Sequence, residues 1–196
     1  MKRLILAAVL ALTAAPAFAA PVAYTLDPAH TQTTFVVDRF GFTSVLGAFT
    51  TAQGTIWIDE AAPANSRVDA QVTVASLYAG DATREDHVKG ERWLNGAVNP
   101  ILSFKSTKVV PTGPDTADVT GDLTLNGVTR PVTFKVKLNK IGKAPGSGKQ
   151  AAGFTITGSV HRRDFNVGAA VPPGLIGEDV AIRIEALAVA AAPVAP

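Results

Sequence analysis

The chain has 196 residues, 47% of them hydrophobic, which is enough for one domain with a substantial core. Its net charge of +2 comes from Lys2 and Arg3, so from residue 20 onward basic and acidic residues balance. That leaves no basic excess to bind nucleic acid or an anionic membrane surface. There is no cysteine, which excludes disulfides, thiol chemistry and a lipidated N-terminal cysteine.

The N-terminus reads as an export signal. Met1-Lys2-Arg3 is a basic start, Leu4–Leu12 an apolar run, and Ala17-Phe18-Ala19 an A-x-A cleavage site. The run is too short to span a bilayer. Residues 1–19 are therefore expected to leave as a signal peptide, with cleavage after Ala19, because a cut after Ala20 would place Pro21 first. The expected location is periplasmic or secreted. The remainder reads as one domain, 20–189, followed by a disordered Ala/Pro tail, 190–196, that lacks side chains able to pack.

The domain is a succession of strands. Tyr24–His30 leads into Thr31–Arg39, where Thr33, Phe35, Val37 and Arg39 share one face. Phe40-Gly41-Phe42 is a turn with two aromatics. Val45–Asp59 carries Gly47, Ala48 and Gly54, which suit a bend or bulge. Arg67–Tyr78 alternates, with Val68, Ala70, Val72 and Val74 on one side. Ala82–Asn95 is the one helix expected, capped by Thr83 with Asp86 three residues on and stopped at Asn95-Gly96. Its apolar content is thin, so it should lie on a rim with Trp93 and Leu94 tucked in.

Beyond Asn99-Pro100, Leu102 and Phe104 alternate with Ser103 and Lys105. The stretch 118–138 is the clearest in the chain. Asn126-Gly127 is the strongest short hairpin signal, since a two-residue type I′ turn needs positive φ twice. Val119, Leu123 and Leu125 continue through Val128, Val132, Phe134, Val136 and Leu138 as one apolar face, and Thr120, Thr124, Thr129 and Thr133 face water. Ile141–Lys149 is a loop, Ala152–His161 a strand, Val171–Gly177 a Pro/Gly loop, and Asp179–Ala188 the closing strand.

Several segments, in order, resemble the YceI-like family. They are Asp27-Pro28-Ala29-His30, Phe35 to Gly41, Gly47-Ala48-Phe49, Arg84 to Lys89 with Trp93-Leu94, Pro100 to Thr107, Gly121 to Val132, and Arg162 to Gly168. The resemblance covers roughly residues 22–189. It departs at Arg39, where the family usually has histidine. It implies a lipocalin-like barrel of a secreted or periplasmic protein that binds polyisoprenoid lipids.

The fold expected is all-β, an antiparallel barrel of about eight strands with one short helix, just wide enough for side chains or one slim ligand. On the residues alone the inward groups could simply fill it. The resemblance implies instead an apolar tunnel for a polyprenyl carrier or isoprenoid quinone, bound without catalysis. The ligand-lining candidates are Phe35, Val37, Arg39, Phe40, Phe42, Phe49, Val72, Val74, Trp93, Phe104, Leu123, Leu125, Phe134, Val136 and Ile182. Arg39, at the end of its strand, is placed at a barrel mouth, to meet a lipid head or a neighbouring acid.

Enzyme signals are poor. His30, His87 and His161 lie far apart, with no zinc spacing, and no nucleophile elbow, P-loop or dinucleotide fingerprint occurs. No cofactor, metal or nucleic-acid partner is expected, and a homodimer stays open. Arg162-Arg163-Asp164 reads as a solvated charge cluster, or as a rim for a polar head group. Two alternatives remain: an envelope enzyme using His30 or the Arg162 cluster, and a non-lipid structural or stress-response barrel.

Overall fold

The computed structural model describes residues 20–191, so the expected signal peptide lies outside the described residues. The strands are β1 (Val22–Leu26), β2 (Gln32–Arg39), β3 (Thr43–Phe49), β4 (Ala52–Ile58), β5 (Arg67–Thr73), β6 (Leu77–Tyr78), β7 (Ile101–Pro111), β8 (Thr116–Leu125), β9 (Val128–Lys143), β10 (Gln150–His161) and β11 (Asp179–Ala190). Among the described residues a single α-helix, α1 (Ala82–Lys89), accompanies them. All pairings are antiparallel, and β1 pairs with both β4 and β11. The ring β1-β4-β5-β7-β8-β9-β10-β11 is thereby an eight-stranded barrel that closes on itself.

The extra three strands are continuations. β2 takes over from β1 beside β11, β3 precedes β4, and β6 follows β5. Each break has a local cause. Between β1 and β2, Pro28 offers no ladder N–H, and the Asp27 carboxylate accepts from Ala29 N–H at 2.9 Å and meets His30 Nδ1 at 2.8 Å. The His30 ring, helped by the Ala29 N–H, holds the Asp27 carboxyl below the ordinary aspartate value. The other two breaks share bonds. Ser76, in the short 3-10 turn Val74–Ser76, takes Thr50 N–H on its carbonyl at 3.2 Å and Thr51 N–H on its hydroxyl at 3.3 Å.

The helix is shorter than its sequence signals suggest. It ends at Gly90, five residues before Asn95, and its N-cap is Asp81 rather than Thr83. Asp81 Oδ1 accepts from Arg84 N–H at 2.8 Å. Gly90 breaks the helix before Asn95-Gly96 is reached, and with no buried residue on the helix no packing carries it past the glycine. The chain then makes tight turns to Asn99, and Leu94 reaches the core as expected. At the other terminus Ala190 pairs with Tyr24, and Ala191 N–H donates to Ala23 O at 2.9 Å. The ordered barrel therefore extends past Val189, and the expected tail beyond residue 191 lies outside the described residues.

The 126–127 hairpin has the expected geometry. Leu125 pairs with Val128, and Asn126 and Gly127 have φ of 49° and 73°. Outward hydroxyls pair across it, Thr120 with Thr133 and Thr124 with Thr129, each at 2.8 Å. Asn126 is also tied to its surroundings, with its Nδ2 donating to Phe165 O at 3.2 Å. Gly127→Val puts a β-branched residue at positive φ, with its Cβ position only 3.0 Å from Asn99 Oδ1. The variant should lose about 1–3 kcal/mol of stability, read as a lowered midpoint of chemical denaturation. An unchanged midpoint would remove the turn from the parts that hold the barrel.

Candidate functional site

The barrel encloses a cavity of about 1020 Å³. Alternation puts one side chain in two inside each strand, and the inward ones here are almost all apolar. The charged side chains in the lining sit at strand termini or in connections. Arg39 ends β2, Arg67 opens β5, Asp59, Glu60 and Asp115 lie in turns at one end, and Asp81 and Arg84 belong to the α1 region at the other. The long middle section is left to carbon, with Thr33 as a polar side chain on the inward face of β2.

All of the candidate residues but Phe42 and Val74 line this space: Phe35, Val37, Arg39, Phe40, Phe49, Val72, Trp93, Phe104, Leu123, Leu125, Phe134, Val136 and Ile182. Phe42 is 93% exposed at the tip of the β2–β3 turn, pointing away. Its neighbour Phe40 takes the inward place because its own φ is positive, 58°, which rotates the chain there. Val74 is fully buried but outside the cavity. β5 stops at Thr73, the 3-10 turn begins, and the parity that put Val74 beside Val72 no longer applies. Val132 packs against the hydrophobic core without reaching the cavity. Sequence reasoning passed over Leu26, Ile56, Phe154 and Ile156, which also line it. The alternation of Phe154 and Ile156 in β10 was the available signal for the last two.

Arg39 stands at the mouth. Its guanidinium lies over the Phe40 ring at 4.6 Å, and its backbone pairs with Ile176. Among the described residues no carboxylate lies within 4.0 Å of it; Asp38 instead accepts from Gly41 N–H at 2.9 Å. The guanidinium is therefore free to meet a ligand group that passes it.

The Arg162 cluster is solvated only in part: Asp164 is exposed and Arg163 half-buried, but Arg162 is not in water. Arg162 is 2% exposed and lines the cavity. Its Nε donates to Gly177 O at 2.9 Å, Nη1 to Val167 O and Gly168 O at 2.8 Å each, and Nη2 to Ile176 O at 3.2 Å. Burial lowers its pKa from the ordinary arginine value. Arg163 pairs with Glu178 and donates to Ala169 O at 3.1 Å and Val171 O. Together the two arginines hold the segment from Val167 to Glu178 across the end of the barrel. Val167, Val171, Leu175 and Ile176 of that segment face the cavity. Trp93 fits against Gly168, where an added Cβ would lie 2.9 Å from the indole, and meets His87 edge-on at 6.1 Å. His30, by contrast, is an exposed turn residue outside the lining. Among the described residues no three His, Asp or Glu side chains gather as a metal site.

Comparison with known proteins agrees with this architecture. A "UPF0312 protein" of Pseudomonas savastanoi pv. phaseolicola is 36% identical over 156 residues, 80% of this chain and 81% of the relative. "Protein YceI" of Escherichia coli O157:H7 is 36% identical over the same length, again covering 80% and 81%. Among solved structures, Burkholderia cenocepacia BcnA superposes with a TM-score of 0.75 at 25% identity, over 83% of this chain and 98% of that one. A polyisoprenoid binding domain from Saccharophagus degradans superposes with a TM-score of 0.67 over 87% and 99%, and at 14% identity this likeness is one of fold. The model of the YceI-like domain matches residues 24–188, from the third residue of β1 to two residues before the end of β11. A closed barrel with an apolar interior, these relatives and that match lead to one conclusion: the chain belongs to the YceI-like family.

Proposed function

We propose that this protein is a non-catalytic carrier for an amphiphilic isoprenoid, such as a polyprenyl lipid or an isoprenoid quinone, in an exported compartment of the cell envelope. The observation that carries the reading is the cavity of about 1020 Å³ whose charged side chains stand only at its ends. It is at or above the top of the ~300–1,000 Å³ range of drug-sized sites, which suits a long ligand. Water solvates such a chain poorly. Burying even about ten of its carbons yields on the order of 8 kcal/mol at ~0.8 kcal/mol per methylene, before ordering costs. The family and the polyisoprenoid-binding structural neighbour support the same ligand class. Mass spectrometry of organic extracts from natively purified protein tests it directly. An isoprenoid in stoichiometric amount is expected, and an empty protein that also fails to take up added isoprenoids would refute the carrier role.

Export belongs to the proposal. The mature protein should begin at Ala20 by N-terminal sequencing, and a cytoplasmic protein that keeps Met1 would overturn it. Arg39 is assigned the head group, onto whose diphosphate or carbonyl a guanidinium can donate. Arg39→Ala should weaken binding of an isoprenyl diphosphate by about tenfold or more, the scale of one charge-assisted hydrogen bond. Binding of the matching uncharged isoprenoid should change much less. Equal losses for both ligands would make Arg39 a structural residue.

A further inference from the structure

Two glycines in the barrel wall are present for a reason their backbones do not supply. Gly47 in β3 and Gly158 in β10 have no positive φ, so any residue could take their conformation. Gly47 pairs directly with Phe35, and a Cβ built on it would meet three carbons of the Phe35 ring at 2.2, 2.5 and 2.9 Å. A Cβ on Gly158 would meet the Phe134 ring at 2.5 and 3.1 Å. In each case the nearest atoms all belong to one ring. The rings occupy the space a side chain on the opposing strand would take, and so lie against the wall. Each is steadied by a second aromatic, Phe35 by Phe49 at 6.0 Å and Phe134 by Phe104 at 5.3 Å.

We infer that Gly47 and Gly158 set the width of the cavity, and that this width is what admits a methyl-branched chain. The inference rests on the carrier reading above and adds its specificity determinants. A methyl group at either position cannot displace backbone, so the ring must swing, and the open side is the cavity that both rings line. A narrowed bore still passes an unbranched chain. A branched chain needs the lost width at every branch.

The test compares phytanol with hexadecanol, saturated alcohols of equal main-chain length that differ only in phytanol's methyl branches. Their affinities are measured for the wild type, Gly47→Ala, Gly158→Ala, and each of these combined with truncation of its ring, Phe35→Leu or Phe134→Leu. Gly47→Ala and Gly158→Ala should each weaken phytanol by about tenfold or more, the scale of one methylene too many in an apolar pocket, and leave hexadecanol within about twofold. Each double variant should recover phytanol. If one glycine variant does not fold, the other, on a different strand and a different ring, decides the question. Equal losses for both alcohols, no loss in folded variants, or no recovery in the doubles would overturn the inference and leave the carrier reading intact. A wild type that binds neither alcohol would overturn both.

Discussion

Arg162→Met should lower the melting temperature by roughly 6–12 °C. The figure follows from what the side chain replaces. Four backbone carbonyls, on Val167, Gly168, Ile176 and Gly177, accept from one guanidinium that is 2% exposed. A buried acceptor left without a donor costs ~1–3 kcal/mol. Methionine has comparable length and no donor, so Val167, Ile176 and Gly177 lose the guanidinium as donor while Gly168 O keeps the Val171 N–H at 3.0 Å, and relaxation of the segment and entering water will recover part of the sum. About 3 kcal/mol should remain, and in a chain of this size each kcal/mol moves the melting temperature by roughly 2–4 °C. Arg162→Lys should fall between, since an ammonium carries three donors on a point and cannot reproduce the fork. The loss is local in origin, so proteolysis should first cut between Gly168 and Gly177. A variant with unchanged melting temperature and unchanged cleavage would mean that these bonds do not hold the segment.

That arginine also marks where reading the sequence stops. Arg162-Arg163-Asp164 looks like a surface triplet because nothing in its neighbourhood announces the carbonyls it binds. They lie 5 to 15 residues downstream, two just before the Pro/Gly loop and two at its end, on a segment that returns to it only in the fold. The hairpin at 126–127 is the opposite case. Its turn chemistry, its alternation and its cross-strand pairs are all local, and each agrees with the others. The same alternation placed Phe35, Phe104, Leu123, Leu125 and Phe134 in the cavity. It failed at Val74 because parity lasts only as long as the strand does, and β5 ends one residue earlier. It could not resolve Phe40 from Phe42, since a left-handed residue at 40 decides which ring turns inward. The helix stops at Gly90 and not at Asn95-Gly96 for an energetic reason: a glycine ends a helix unless packing on the turn beyond it holds the chain helical, and this helix buries no residue.

Phe134→Asp should abolish lipid retention. Phe134 is 7% exposed, lines the cavity, rests over Gly158 and packs edge-on against Phe104. Two costs compete for where the carboxylate is felt. In a dry core an unpaired ionised group costs several kcal/mol, and removing the ring costs a further ~3–5 kcal/mol, enough to unfold many domains. This site adjoins a cavity of about 1020 Å³, however, and an unliganded cavity with a carboxylate in its wall can hold the water that keeps it hydrated. The ionic part of the penalty then moves from folding to binding, because a lipid chain must strip that water to enter. The carboxyl would respond by taking a proton as the lipid enters, so its pKa should rise and retention should partly return at acidic pH. Phe134→Leu separates the two costs. It keeps the wall apolar, should remain folded with a modest loss of stability, and should still carry lipid. The decisive comparison is lipid content by mass spectrometry beside melting temperature for both variants at neutral pH. A folded Phe134→Asp protein with the wild-type lipid load would show that Phe134 does not bound the ligand space.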